Sequence, residues 1–263
     1  MSNVSPPGPI LSGPFFSGLS PVPDLDALLN PLTCIAPRSV WAAPWMGPAP
    51  FGPPARHPAA EPDVSFLFRM CLNPKQGLDQ QSYEHAAKLL EAEVAAIQAV
   101  AEVETSGKAF DDEGRPRILY ERHYFHRLTH GRYDHLHPDI SSATRGGYGK
   151  FSAQYGKLEK AYALDPTAAL KSASWGRFQI MGSNFHTAGF PSVQMFVLAL
   201  TQSEANHLQA FANFVKANKT LREALKKKDW AAFAKGYNGS GYKDNNYDTK
   251  LEQAYKKLTS PQR

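Results

Sequence analysis

Glu104 is the residue whose type and position first suggest catalysis. It ends a long apolar segment and stands three residues before Gly107, where a helix is expected to stop. A carboxyl group there feels the negative end of the helix dipole, and burial against the apolar face of the helix would disfavour its charge further. Both effects raise a pKa toward the value that a general acid needs near neutral pH. On position alone, an ordinary solvated helix-end glutamate remains the alternative.

A second carboxyl group is needed if the chemistry is cleavage of a glycosidic bond, with one acid and one base or nucleophile. Glu121 stands at the end of a predicted strand and could point into a cleft. Glu113 and Asp112 stand in the preceding turn, where exposure is expected. Each of these residues, taken alone, is also compatible with a surface charge.

Two later segments combine glycines with side chains suited to sugars. Residues 174–182 include Trp175 and Gln179, whose amide can both donate to and accept from a sugar hydroxyl or acetamido group. Residues 237–242 include Tyr237 and Asn238, and flat aromatic rings suit the apolar faces of pyranoses. Without a role in sugar binding, residues 174–182 would be a helix start packed in the core, and residues 237–242 would be an ordinary glycine-rich turn.

Histidines are frequent in one segment, which raises the question of a metal. The five are His123, His126, His130, His135 and His137. The chain contains no His-Glu-x-x-His motif and neither cysteine is near, so the sequence favours loop and packing roles and predicts no metal and no cofactor.

Composition divides the chain near residue 62. Residues 1–62 contain 15 of the 21 prolines and only five charged side chains, so we expect an extended arm or linker there. Its aromatic residues, among them Phe15, Trp41 and Trp45, favour an arm that docks on another protein over a loose tail. Residues 63–263 are expected to form one mostly helical domain, which carries the basic character of a chain with net charge +5. That charge suits an anionic partner, namely nucleic acid, an anionic membrane surface or the bacterial cell wall, and does not by itself choose among them.

Periodicity and capping residues predict the elements of this domain. One long helix is expected from about 80 to 103, and a short strand at 118–120. Residues 129–150 are expected to be loop. Further helices are predicted at about 166–172, 193–202, 203–217, 219–227, 229–236 and 246–258.

The candidate segments, in this order, resemble the N-acetylmuramidase catalytic domain of phage endolysins and related cell-wall hydrolases. The similar stretches are residues 99–107, 114–123, 146–149, 172–182 and 237–239, within a likeness that spans roughly 80–258. Their order is also similar, more distantly, to goose-type lysozymes and lytic transglycosylases. The resemblance implies a lysozyme-like α+β fold that is mostly helical, with one short β-hairpin region.

The resemblance also implies roles for individual residues. Glu104 matches the catalytic proton donor, Glu121 is the choice for the second carboxylate, and Glu113 is the reserve. Cleft-lining, substrate-binding positions are matched by Gln179, Tyr237, Asn238, Trp175 and Tyr148. The implied reaction is hydrolysis of the β-1,4 bond between N-acetylmuramic acid and N-acetylglucosamine.

Other functions stay open at this point. They are a lytic transglycosylase that leaves anhydro ends, a non-catalytic wall-binding module and a zinc peptidase, while no nucleic-acid-binding motif is present. The N-terminus lacks the basic start of a secretory signal, and no segment is apolar enough to span a membrane. We therefore expect synthesis in the cytoplasm and delivery to the periplasmic wall as a phage lysin, a tail-associated lysozyme or a secreted effector. Residues 1–62 are then expected to bind a tail, baseplate or secretion protein.

Overall fold

The computed structural model describes residues 61–104 and 108–260, and within them the chain is mostly helical. Its helices are α1 (Gln80–Leu90), α2 (Val94–Glu104), α3 (Arg122–Leu128), α4 (Gln154–Leu164), α5 (Pro166–Lys171), α6 (Val193–Leu200), α7 (Glu204–Ala217), α8 (Lys219–Lys227), α9 (Trp230–Asn238) and α10 (Tyr247–Thr259). Its strands are β1 (Ile118–Tyr120), β2 (Ala173–Trp175) and β3 (Ile180–Met181). The predicted mostly helical class with a small hairpin region is confirmed, whereas the arm at 1–62 lies almost wholly outside the described residues.

The single helix predicted from 80 to 103 is wrong, because the chain breaks it at Glu91. That residue adopts the left-handed conformation with φ 53°. The amide of Ala92 then bonds to the carbonyl of Ala87, and that of Glu91 to the carbonyl of Lys88, which is the Schellman pattern of a helix end. Glycine usually occupies the left-handed position of this pattern. Because a glutamate stands there instead, the sequence does not indicate that a helix ends at this point.

Helix α2 is the apolar centre of the domain. Ile97, Val100 and Ala101 are fully buried, and α10 packs along the helix while α1 lies between it and α7. A helix buried on most of its surface has a fixed position, because its side chains interlock with several neighbours. The residue at its C-terminal end is therefore held in place by the core.

The three strands form one antiparallel sheet in the order β1, β2, β3. Ile118 pairs with Trp175, and Trp175 in turn pairs with Ile180. The β2–β3 turn needs Gly176, because its φ is +70° and an added Cβ would stand 2.8 Å from Nδ1 of His207. The hairpin carries residues 174–182, and β1 leads into Glu121.

Capping residues locate several helix starts as predicted. Asp165 accepts a hydrogen bond from the amide of Ala168 at 2.9 Å, and Ser192 accepts one from that of Met195 at 3.2 Å. Helices α3 and α4 are additions that the sequence interpretation missed, while 129–150 contains turns without a helix. Across the described part of the chain, no helix has both the length and the hydropathy needed to cross a membrane.

Candidate active site

Glu104 is the last residue of α2 and stays partly accessible to solvent. Burial of its carboxyl group among protein atoms raises its pKa to about 7, while the amide of Asn238 and the positive charge of Lys250 act in the opposite direction. Burial thus outweighs both favourable groups. The result is a carboxyl group that retains a proton near neutral pH, as a general acid must, on a residue that is not fully buried.

Residues from the end of α9 and the start of α10 surround Glu104. Its negative charge adds to burial in raising the pKa of Tyr237 and of Tyr247, so both phenols lie close to it. Lys250 stands one turn after Tyr247, with its ammonium 5.6 Å from that ring centre. Sequence reasoning missed Tyr247 and Lys250, because only the packing of α10 along α2 brings them to Glu104.

Asn238 is almost fully buried beside Glu104. Among the described residues neither atom of its amide has a hydrogen-bond partner in good geometry, although the amide is close enough to lower the pKa of Glu104. A buried amide without partners is costly in a folded protein. Such a group has hydrogen-bonding capacity available to the acid or to a ligand next to it.

Glu121 lies at the end of β1 and is 5% exposed. Its backbone amide donates to the carbonyl of Ser172 at 2.8 Å. Ser172 immediately precedes β2, so this bond continues the pairing of β1 with β2 to Glu121. The hydroxyl of Tyr148 donates to Oε2 of Glu121 at 3.0 Å. Nδ1 of His123 is 3.1 Å from the same oxygen but is not aligned for a hydrogen bond. Tyr148 thus fixes the direction of the Glu121 carboxyl group.

Glu113 occupies a different environment, as expected for a turn residue. Its carboxyl group is half exposed and forms an ion pair with Arg115 at 3.0 Å. Arg115 also pairs with Asp111 at 2.8 Å. The charge of Glu113 is therefore compensated within its own turn.

Three of the predicted substrate-binding residues serve the scaffold. Trp175 is 1% exposed and donates its indole hydrogen to the carbonyl of Leu170, so its ring packs in the core. Tyr237 is 2% exposed and donates its hydroxyl to the carbonyl of Phe178 at 2.8 Å. Gln179 is half-buried, and its amide nitrogen donates to the carbonyl of Gly176 at 2.8 Å, bracing the β2–β3 turn.

The β2–β3 turn connects the elements that carry the two glutamates. Arg177 donates to the carbonyl of Ala101 in α2 at 3.2 Å and forms a close ion pair with Glu204 in α7. The carbonyl of Phe178 holds Tyr237 in α9, and β2 pairs with β1. The turn is therefore bonded to the elements that carry Glu104, Asn238 and Glu121. Arg177 lies in the stretch 172–182 that resembles the family, where the sequence predicts no role for it.

The histidine-rich segment is dispersed in the fold. His123 lies beside Glu121, and His126 pairs with Asp134 at 2.6 Å. Within residues 61–104 and 108–260, no three His, Cys, Asp or Glu side chains are grouped closely enough to hold a metal ion.

Comparison with known proteins assigns the domain. The family profile for the muramidase domain, described as N-acetylmuramidase, matches residues 93–259. The chain belongs to the N-acetylmuramidase family. The solved structure of the endolysin of Burkholderia phage AP3 is 41% identical, with a TM-score of 0.67 over 71% of this chain and 72% of that one. No curated protein sequence matches the chain significantly.

This muramidase is therefore a glycoside hydrolase of peptidoglycan with an endolysin-like fold, and the resemblance found in the sequence is confirmed. The matched range contains both Glu104 and Glu121. It offers a carboxyl group with a pKa near 7 at the end of a buried helix, and a second one held by a tyrosine at the end of a strand.

Proposed function

We propose that this muramidase hydrolyses the β-1,4 bond between N-acetylmuramic acid and N-acetylglucosamine, with Glu104 as the general acid. The observation that carries the proposal is the Glu104 carboxyl group at the end of α2, whose pKa burial raises to about 7. A group with that pKa is a competent proton donor at neutral pH. Its place within the matched family range supports the same role.

The reaction balances with two carboxyl groups and one water molecule. Glu104 gives its proton to the glycosidic oxygen as the bond to the anomeric carbon breaks, and positive charge builds up on the sugar ring. Glu121, the proposed second carboxylate, stabilises this charge or accepts a proton from the attacking water. The water adds its hydroxyl group to the anomeric carbon, and its remaining proton replaces the one that Glu104 gave, either directly or by exchange through solvent from Glu121 when Glu121 acts as the base.

Replacement of the acid tests the proposal directly. Glu104→Gln should lower the rate of peptidoglycan cleavage about 10²–10⁴-fold, the range for loss of general acid catalysis. Glu102→Gln is the matched control, since Glu102 is exposed on the same helix turn and pairs with Lys257 at 2.9 Å. Near-normal cleavage by Glu104→Gln would remove Glu104 from the mechanism.

The products decide which bond is cleaved and how. Mass spectrometry of the released muropeptides should show hydrated muramic acid ends. Anhydro-muramic ends would identify a lytic transglycosylase instead, with Glu104 acting as both acid and base. Hydrated ends on N-acetylglucosamine would place the cut at the other glycosidic bond.

The second carboxylate is assigned by a pair of variants. Glu121→Gln should lower the cleavage rate strongly, whereas Glu113→Gln should have little effect because Glu113 is half exposed and paired with Arg115. A strong effect of Glu113→Gln alone would reverse the assignment.

We further propose that residues 1–62 deliver the enzyme by docking on a tail, baseplate or secretion protein. Their proline content and aromatic residues support this role. Deletion of residues 1–62 should leave peptidoglycan hydrolysis intact and abolish incorporation into particles or export. Normal incorporation of the shortened chain would show that the arm is not the docking element.

A further inference from the structure

An open groove of about 620 Å³ lies beside β1, on residues that the proposed reaction does not use. One wall comes from the turn at 110–115, and another from Phe151 and Ser152 at the start of the α4 region. Lys108, Arg115 and Arg117 supply positive charges to its lining, and Asp111, Asp112 and Glu113 supply negative ones. The lining is electrically neutral in sum, so any preference for a charged ligand depends on which charges are already paired.

The acidic groups of the groove are already compensated. Asp111 and Glu113 both pair with Arg115, at 2.8 and 3.0 Å. Asp112 pairs with Lys108 at 3.2 Å. These ion pairs use two of the three cations and all three carboxylates.

Arg117 is the cation that these pairs leave over. Within the described part of the chain its guanidinium forms no ion pair and stacks on the ring of Phe151, 4.2 Å from the ring centre. Burial alone lowers the pKa of Arg117, and no nearby carboxylate opposes that shift. A half-buried guanidinium stacked on a ring keeps its planar donor edge for a carboxylate, which it can bind in bidentate fashion.

Arg117 is also tied to the proposed catalytic elements. Its carbonyl accepts hydrogen bonds from the amide of Gly176 at 2.7 Å and from Nε2 of Gln179 at 3.3 Å. It precedes β1, and Glu121 follows β1, so strand alternation places the two on the same face. The three residues of β1 lie between them, and four residue steps along an extended chain separate their Cα atoms by roughly 13 Å. A glycan strand at Glu121 would therefore extend to the groove.

We propose that Arg117 binds a carboxylate of the peptidoglycan strand in this groove. The inference rests on the proposed function, because it takes peptidoglycan as the ligand. Two sources share this chemistry, namely the lactyl carboxylate of an unsubstituted muramic acid and the carboxylates of a stem peptide attached to it. Neutral sugar oligomers carry neither.

The test compares soluble glycan strands with and without stem peptides, each in its native form and with its carboxylates converted to neutral amides. For the wild-type enzyme, amidation should raise KM about tenfold or more on the strand type whose carboxylate Arg117 binds, the loss expected for one hydrogen bond to a charged group. Arg117→Gln should show the raised KM on the native strands and no further response to amidation. The strand type that responds identifies the source of the carboxylate.

Arg127→Gln is the matched control. Arg127 also stacks on a ring at 4.2 Å, that of Tyr124, but it is exposed and does not line the groove. Its variant should keep the wild-type response to amidation. Arg117→Lys keeps the positive charge but loses the bidentate donor pair of the guanidinium, so it should keep part of the response to amidation. This partial response would also show that the position tolerates substitution.

The inference is overturned if wild-type KM is the same on native and amidated strands of both types, or if Arg117→Gln still distinguishes them. Either result leaves the proposed hydrolysis standing. If the wild-type enzyme cleaves no strand, the proposed function fails, and calorimetric binding of the same four substrates to wild-type and Arg117→Gln protein then decides the role of Arg117 separately.

Discussion

The hydroxyl of Tyr148 donates a hydrogen bond to Oε2 of Glu121 over 3.0 Å. The two residues come from different segments, since Glu121 ends β1 and Tyr148 belongs to the glycine-rich stretch before α4. Burial and the charge of Glu121 together raise the pKa of Tyr148 to about 12, so the phenol keeps its proton and remains a donor at every physiological pH. The hydrogen bond fixes the direction of the Glu121 carboxyl group, which supports Tyr148 as a positioning residue.

Tyr148→Phe should lower kcat about tenfold and change KM little. The variant removes one hydrogen bond to a charged group but keeps the ring, so Glu121 stays in place with its direction less well defined. Steady-state kinetics on soluble glycan strands measures both constants. Tyr162→Phe is the control, since its hydroxyl donates to Asp63 at 3.3 Å away from both glutamates, and it should retain wild-type kinetics. Equal losses in the two variants would mean that the effect is general to the fold.

Activity should fall as pH rises through about 7. Glu104 must carry its proton to act as an acid, and the protonated fraction decreases tenfold per pH unit above its pKa of about 7. The profile of kcat/KM against pH reports this group in the free enzyme. A flat profile between pH 6 and 9 would contradict the assignment.

Lys250→Ala should move that alkaline limb to higher pH. The positive charge of Lys250 lowers the pKa of Glu104, so its removal lets the pKa rise further. Lys219→Ala, which removes an exposed lysine at the start of α8, is the control and should leave the limb in place. A shift to lower pH in Lys250→Ala would show that the lysine acts by another route.

The raised pKa of Glu104 also predicts how the free energy of unfolding depends on pH. A glutamate with a lowered pKa contributes stability that is lost as pH falls, whereas Glu104 should contribute stability that is lost as pH rises. Between pH 4.5 and 7 the folded chain binds this proton more tightly than the unfolded chain, so the contribution to the free energy of unfolding is lost as pH rises. The full difference is at most about 3 kcal/mol. Urea unfolding at pH 5 and pH 8 should therefore show that Glu104→Gln, which carries no charge at either pH, gains stability relative to wild type at pH 8. A variant that is relatively weaker at pH 8 would contradict the burial of Glu104.

The sequence predicts those helix ends that depend on residues close together in the chain. The end of α2 at Glu104 and the caps at Asp165 and Ser192 depend on neighbouring residues, and all three lie where the sequence placed them. The break at Glu91 could not be predicted in this way, because a left-handed glutamate has no sequence signal. Its carboxyl group pairs with Lys226, a residue far along the chain.

Roles that depend on tertiary packing were the harder part of the site. Trp175 and Tyr237 have the residue types that bind sugars, but the same flat rings fill the core, and only their burial distinguishes the two uses. Lys250 lies outside every stretch that resembles the family, and Arg117 lies within residues 114–123 without an assigned role. Each gains its importance from what surrounds it, Lys250 through the packing of α10 on α2 and Arg117 through the pairing of every other charge in its groove.

The ion pair between Arg177 and Glu204 should be the most costly one to break in the described chain. Both side chains are largely buried, and Glu204 also accepts the amide of Gly77 at 3.0 Å while Arg177 holds the carbonyl of Ala101 in α2. Glu204→Gln leaves the arginine charge in a poorly solvated site, so the free energy of unfolding should fall by about 3 kcal/mol. Asp139→Asn breaks the exposed pair with Lys160 and should cost less than about 1 kcal/mol. Urea unfolding of both variants at pH 7 makes the comparison, and equal costs would mean that the β2–β3 turn is not held to α2 and α7 through Arg177.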